Sequence, residues 1–83
     1  MTWTLLVASP ARKSLAKFPD KDRRRLLQAL AAMEQNPFGG DIKSLHPSGW
    51  RRRVGNYRIF YDLFASDNQI IVTAIERRTS TTY

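Results

Sequence analysis

The pattern of hydrophobic and polar positions divides the chain into a strand, two helices and a second group of strands. Residues 2–8, "TWTLLVA", form a short apolar run that is typical of a strand. Residues 9–18 and 20–36 instead repeat their apolar positions three and four residues apart, as amphipathic helices do. The first part of the chain is therefore expected to fold as a strand followed by two helices.

The boundaries of the two helices are marked by residues with known terminal preferences. Ser9 is expected to cap the first helix, with Pro10 in its first turn, and Pro19 ends that helix. Asp20 is then available to cap the second helix. Because only Pro19 and Asp20 separate the helices, we expect an antiparallel helix hairpin.

A break at residues 37–40, "PFGG", separates the helices from a loop, "IKSLHPSG", at residues 42–49. Three β-type segments follow it: residues 49–54, 57–64 and 69–75. The chain shows no internal repeat and no second domain. The pattern predicts an α+β fold of order β-α-α-β-β-β for a single domain over residues 1–83, with a mainly antiparallel four-stranded twisted sheet against the helix hairpin.

The hairpin "GWRRRVGNYRIFYDLF" is the most informative stretch of the chain. Gly55-Asn56 favours a type II′ turn, which places Arg53 opposite Arg58. The face predicted to cover the helices then carries Trp50, Arg52, Val54, Tyr57, Ile59, Tyr61 and Leu63. The opposite face carries Arg51, Arg53, Arg58, Phe60, Asp62 and Phe64. Three guanidinium groups thus lie beside an aromatic ring on one face.

Two directly opposed arginines destabilise a strand pair unless something negative lies between them. Guanidinium groups bind phosphate oxygens in bidentate fashion, and an aromatic ring such as Phe60 can stack on a base. A nucleic-acid phosphodiester satisfies both preferences. The alternatives are that the arginines extend into water, or that Asp62 and Glu76 neutralise them.

Composition supports an anionic partner. The 83 residues include 14 basic and 7 acidic side chains, which give a net charge of +7 and a pI near 10.6. The basic trio Arg23–Arg25 lies on the second helix, where solvated surface is the preferred interpretation and partner contact the alternative. The chain lacks cysteine, metal-ligand motifs, phosphate-binding loops and any span of membrane length. A soluble cytoplasmic protein without cofactor or metal is therefore expected.

The order of elements, the segments "GWRRRVGNYRIFYDLF" and "IIVTAIERR", and a late tyrosine together resemble the RelE/ParE superfamily of bacterial toxins, and most of all its RelE-type messenger-RNA interferases. The resemblance covers essentially the whole chain. It implies that the RNA-cleaving face is formed by Arg51, Arg53, Arg58, Arg78 and Tyr83. Arg77 takes the place of Arg78 if the alignment shifts by one residue. We expect Arg77, Phe60 and Arg52 to bind RNA beside them.

The resemblance also implies a function. It suggests the toxin of a type II toxin–antitoxin system, a metal-independent endoribonuclease that cuts messenger RNA on the ribosome, with 16S rRNA contacts. A cognate acidic antitoxin is the expected protein partner, in a possible toxin–antitoxin hetero-oligomer. One alternative is a ParE-like inhibitor of DNA gyrase without nuclease activity. Another is a plain nucleic-acid-binding module.

The proton transfers of the implied reaction remain open at the level of sequence. RelE-like cleavage has the ribose 2′-hydroxyl attack the adjacent phosphate, which needs charge stabilisation, a base and an acid. Arg53 stands where these enzymes can use lysine as a base, and arginine is a poor base. Glu76, His46 and Tyr83 are the other candidates for proton transfer.

Overall fold

The chain folds into a single β-sheet with two helices packed on one face. The computed structural model describes residues 2–46 and 48–77. Its elements in chain order are β1 (Thr4–Val7), α1 (Ser9–Lys17), α2 (Asp20–Gln35), β2 (Asp41–His46), β3 (Gly49–Val54), β4 (Tyr57–Phe64), a short 3₁₀ turn (Ala65–Asp67) and β5 (Gln69–Arg77). The α+β class and the order of helices and strands predicted from the sequence are confirmed.

The sheet has five strands in the order β1-β5-β4-β3-β2. Strand β1 runs parallel to β5, and the other three pairs are antiparallel. The fifth strand corrects the sequence prediction, because residues 42–49 were expected in a loop and residues 42–46 instead belong to β2 at the edge of the sheet. All of its residues except Ile42 are exposed. An edge strand with so little burial carries no apolar alternation by which it can be recognised.

The helix termini also differ from the prediction in detail. The cap positions are taken by Ala8 and Pro19, and neither helix has a side-chain cap. Asp20 lies inside the first turn of α2, where its negative charge complements the helix dipole. Arg23 donates hydrogen bonds to the main-chain oxygens of Ala16 and Phe18 at the end of α1. This arginine therefore joins the two helices, whereas solvation was expected.

The hydrophobic core lies between the helices and the covered face of the sheet. Its buried members from the helices are Ala11, Leu15, Leu26, Ala29, Leu30 and Met33, and those from β4 and β5 are Tyr57, Ile59, Tyr61, Ile70, Val72 and Ile75. Two of these carry hydroxyl groups, and both are paired. The Tyr61 hydroxyl donates to the main-chain oxygen of Pro37 at 2.8 Å, and that of Tyr57 donates to Asp22 at 2.7 Å. No helix within residues 2–46 and 48–77 is long and apolar enough to cross a bilayer.

Candidate functional site

The turn between β3 and β4 sets which side chains share the open face of the sheet. Gly55 adopts a φ of +59°, a left-handed conformation that suits glycine at the first central position of a type II′ turn. The resulting register pairs Arg53 with Arg58 and Arg51 with Phe60. The predicted grouping of three arginines on one face, opposite the helix-covered side, is confirmed.

Carboxylates near these arginines pair with them only loosely. An Arg53–Asp41 pair and an Arg58–Glu76 pair each have a nitrogen–oxygen distance of 3.9 Å, beyond hydrogen-bonding range. The arginine side chains are 42% and 37% exposed, so such pairs contribute at most about 1 kcal/mol each. Asp62, which was considered as a neutralising group, forms no ion pair within the described part of the chain. Positive charge on this face is therefore poorly compensated.

Two guanidinium nitrogens on the open face have no hydrogen-bond partner in the part of the chain that the structure describes. Among the described residues, the Nε atoms of Arg51 and Arg58 are buried without a hydrogen-bond acceptor. A buried unpaired donor costs about 1–3 kcal/mol, and more when it belongs to a charged group. The Arg58 guanidinium also lies 6.0 Å from the ring centre of Phe60, within cation–π range. An oxyanion on the open face would meet the exposed parts of these guanidinium groups rather than the covered Nε atoms.

A cleft of about 260 Å³ lies around Phe60, the residue that pairs with Arg51. It is lined by Leu45, His46, Gly49, Trp50, Phe60, Tyr61, Asp62, Thr73, Ala74 and Glu76. Two of the proton-transfer candidates from the sequence, His46 and Glu76, thus contribute to one concave surface. Within residues 2–46 and 48–77, no group of three or more imidazole or carboxylate side chains comes together as metal ligands would.

Two β-bulges shape this cleft, and neither was anticipated from the sequence. The register of β2 against β3 shifts between Ser44 and His46, and that of β4 against β5 shifts between Phe60 and Tyr61. The second shift leaves Thr73 as an extra residue in β5. Bulges bend a strand and re-aim its side chains, and they are frequent beside functional sites. Asp62 and Thr73 are lining residues that the motif comparison did not single out.

Two residues expected to bind RNA do not lie on the open face. Arg52 alternates to the helix-covered side, opposite Ile59, and its guanidinium packs so closely on Gly40 that a Cβ atom there would overlap it. Arg77 pairs with Tyr57 on the same covered side. The structure therefore groups Arg51, Arg53, Arg58 and Phe60 together and separates Arg52 and Arg77 from them. Arg78 and Tyr83 lie outside the described residues.

Comparison with known proteins assigns the chain to a family. The family model described as the ParE toxin of the type II toxin–antitoxin system parDE matches residues 5–81. A search of curated proteins gives no match. The fold also resembles the solved structures of several RelE-type toxin chains.

The chain in the RelE–RelB complex of Pyrococcus horikoshii superposes with a TM-score of 0.88 at 24% identity, over 98% of this chain and 100% of that one. A chain of the RelBE2 toxin–antitoxin complex of Mycobacterium tuberculosis superposes with a TM-score of 0.84 at 18% identity, over 94% of this chain and 100% of that one. The isolated RelE toxin of E. coli superposes with a TM-score of 0.82 at 17% identity, over 95% of this chain and 87% of that one. These identities establish a shared fold. Because the family model spans almost all of the sequence, the chain belongs to the ParE toxin family of type II toxin–antitoxin systems, within the RelE/ParE superfamily.

Proposed function

We propose that this toxin is a metal-independent endoribonuclease that cleaves messenger RNA on the ribosome and so blocks translation. One observation carries the proposal: Arg51, Arg53 and Arg58 share the open face, and the carboxylates nearest to Arg53 and Arg58 stay 3.9 Å away. Within residues 2–46 and 48–77 these guanidinium groups have no carboxylate in hydrogen-bonding range, and a phosphodiester has negative oxygens that would pair with their exposed nitrogens. The RelE name of the similar structures supports the same reaction class.

The arginines would act by binding the scissile phosphate and stabilising its transition state. When the ribose 2′-oxygen attacks phosphorus, negative charge grows on the non-bridging oxygens of a pentacoordinate phosphorane. Arg51 and Arg58 lie close enough in the register to face one phosphate from two strands, because Arg58 is two residues from the direct partner of Arg51. Donors held in place before the reaction stabilise this charge without reorganisation. Arg53, opposite Arg58, adds further positive potential.

The proposed partners follow from charge and from the similar structures. RelE–RelB complexes are among those structures, so we propose a cognate antitoxin that forms a hetero-oligomer with this chain. With a net charge of +7, the toxin suits an acidic antitoxin segment that folds on binding. The same charge suits messenger RNA and contacts with 16S rRNA. A substrate held on translating ribosomes places the activity in the cytoplasm.

Substitution of Arg58 tests the nuclease directly. We expect Arg58→Ala to lower ribosome-dependent cleavage by about 100-fold or more, as loss of one preorganised charge-stabilising donor does. Arg58→Lys should recover only part of the rate, because an ammonium group cannot make the bidentate contact. The measurement is cleavage of a defined messenger RNA on purified translating ribosomes. Arg24→Ala is the matched control, since it removes the same charge from an exposed position on α2.

The second candidate function is inhibition of DNA gyrase without hydrolysis. It is favoured by the ParE description of the matching family model and by Arg53 at the position where RelE-like enzymes can use lysine. A gyrase supercoiling assay with the purified protein separates the two candidates. If Arg58→Ala stays fully toxic, gyrase is inhibited and messenger RNA remains intact, gyrase inhibition replaces the nuclease proposal.

A further inference from the structure

The bulge in β2 places the only histidine of the chain on the arginine face. Lys43 pairs with Arg51 and Ser44 with Trp50, but the next pair joins His46 to Gly49. In unbroken register the partner of Gly49 would be Leu45, and His46 would point to the helix-covered side. The extra residue reverses the alternation, so that His46 shares the open face with Arg51. A bulge that turns one side chain toward an anion-binding surface is a reason to ask what that side chain does.

Gly49 provides the space that the imidazole ring occupies. A Cβ atom built on Gly49 would overlap the His46 ring, so the ring lies directly over the main chain of β3. On the other side of Gly49, the register pairs this residue with Asp62 of β4. His46, Gly49 and Asp62 therefore form one row across three strands, and the middle member has no side chain. The imidazole of His46 and the carboxylate of Asp62 line the same cleft without a side chain between them.

Charged groups of both signs face His46. From its own strand comes Lys43, which pairs with Arg51 of β3. Strand β4 contributes Asp62 and β5 contributes Glu76, and both residues line the cleft together with His46. Glu76 is directed to Arg58 at 3.9 Å. Asp62 has no side-chain hydrogen bond or ion pair within residues 2–46 and 48–77, so its carboxylate is available to an imidazolium.

The reaction proposed above lacks a proton acceptor among its arginines. A guanidinium stays protonated in proteins and has no acceptor atom, whereas an imidazole both accepts and donates a proton near neutral pH. His46 pairs with Gly49, which lies two residues before Arg51 on β3. His46 is therefore on the strand next to Arg51. A phosphate held by Arg51 would therefore lie two residues along β3 from Gly49, over which the His46 ring packs.

We infer that His46 is the proton-transfer residue of this cleft and that Asp62 is its positioning residue, an inference that rests on the proposed nuclease function. The imidazole takes the proton of the ribose 2′-hydroxyl as the 2′-oxygen forms its bond to phosphorus. The bond from phosphorus to the 5′-oxygen breaks, and that oxygen takes a proton from water in the open cleft. The products are a 2′,3′-cyclic phosphate and a 5′-hydroxyl. The imidazolium, stabilised by the Asp62 carboxylate, returns its proton to water.

The test is the pH dependence of cleavage on translating ribosomes. Wild-type cleavage should fall on acidification, because a protonated imidazole cannot accept a proton. His46→Gln should lower the rate by about 100-fold, the lower part of the range for general acid–base catalysis, and should remove the acid limb of the profile. His46 is exposed, so the substitution leaves the core intact, which a thermal unfolding curve checks.

Two further variants test the row of residues. Gly49→Ala should displace the imidazole and lower the rate as His46→Gln does, whereas Gly39→Ala, where a methyl group meets only ordinary contacts from 3.5 Å outward, should not. Asp62→Asn should lower the rate about tenfold in the wild-type background but have no further effect when combined with His46→Gln. Such non-additivity identifies two residues that act as a unit.

The outcomes separate the inference from the proposed function. Absence of cleavage by the wild-type protein under every condition would overturn the nuclease itself, and His46 with it. If the wild type cleaves and Arg58→Ala does not, while His46→Gln retains the rate and the pH profile of the wild type, the nuclease stands and the role of His46 is wrong.

Discussion

The two faces of strand β4 differ in burial and in the pairing of their polar groups, although they alternate along the same eight residues. Tyr57, Ile59 and Tyr61 face the helices and are at most 4% exposed. Arg58 and Phe60, between them, face the open side and are partly exposed. On the covered face both tyrosine hydroxyl groups have acceptors. On the open face, the Arg58 Nε has none within the described residues.

This difference shows on which face the polar groups are paired within the described chain and on which face they are not. Buried polar groups are usually paired, and the covered face follows that rule. The open face departs from it at Arg51 and Arg58, and it also sets Arg53 directly against Arg58. Both features lower the stability of the isolated protein. A surface that stays destabilised in this way is expected at a site that binds an anion, because functional sites are where such local conflicts are kept.

The largest effect on stability should come from the covered face. Ile59 is fully buried, so Ile59→Ala should lower the free energy of unfolding by about 2–5 kcal/mol through lost burial and a residual cavity. Its neighbour Arg58 should behave differently. Arg58→Ala removes a buried donor that is unpaired within the described chain, a like-charge neighbour of Arg53 and only a 3.9 Å ion pair, so the free energy of unfolding should stay the same or rise by about 1–3 kcal/mol. Urea unfolding of the two variants measures both.

The contrast between the two faces of β4 would be wrong if Arg58→Ala lost stability and Ile59→Ala did not. A loss of several kcal/mol in Arg58→Ala would show that this arginine supports the fold, and its loss of cleavage would then say little about catalysis. Activity should be compared only for variants that remain folded at the assay temperature. Ile59→Ala retains the open face, so the fraction that stays folded should cleave at the wild-type rate.

The sequence predicted the parts of this fold that local chemistry determines. Gly55-Asn56 alone sets the turn, and the turn sets the pairing of Arg53 with Arg58. Strand β2 could not be predicted, because an exposed edge strand shows no apolar alternation. The bulge before His46 could not be predicted either, because no local sequence feature marks Leu45 as the extra residue. The position of His46 in the cleft depends on that bulge, so the sequence predicted the arginine face but not the cleft.

An intermediate effect is expected at Arg53. Arg53→Lys should preserve cleavage or raise it by up to about tenfold, because an ammonium group beside the Arg58 cation loses its proton more readily than a guanidinium does. The measurement is again cleavage on translating ribosomes. Combined with His46→Gln, the lysine should restore part of the lost rate by supplying a second base. A tenfold loss in Arg53→Lys would instead mean that the guanidinium geometry at this position is what the reaction requires.

The smallest effect should appear at alkaline pH on the covered face. Burial raises the pKa of Tyr57 above its ordinary value of 10.0, the hydrogen bond to Asp22 raises it further, and Arg77 partly opposes both. Burial likewise raises the pKa of Tyr61.

A group whose pKa is raised by folding stabilises the folded state fully below its unfolded pKa and loses that contribution above it. The titration of these tyrosines should therefore leave the free energy of unfolding unchanged at neutral pH and lower it as the pH rises past about 10. Tyr57→Phe should cost about 1 kcal/mol at neutral pH, from the lost hydrogen bond to Asp22, and should flatten the alkaline decline. Arg58→Lys, on the other face of β4, is the matched control and should leave the decline unchanged. An alkaline decline of equal steepness in Tyr57→Phe would assign it to Tyr61 alone.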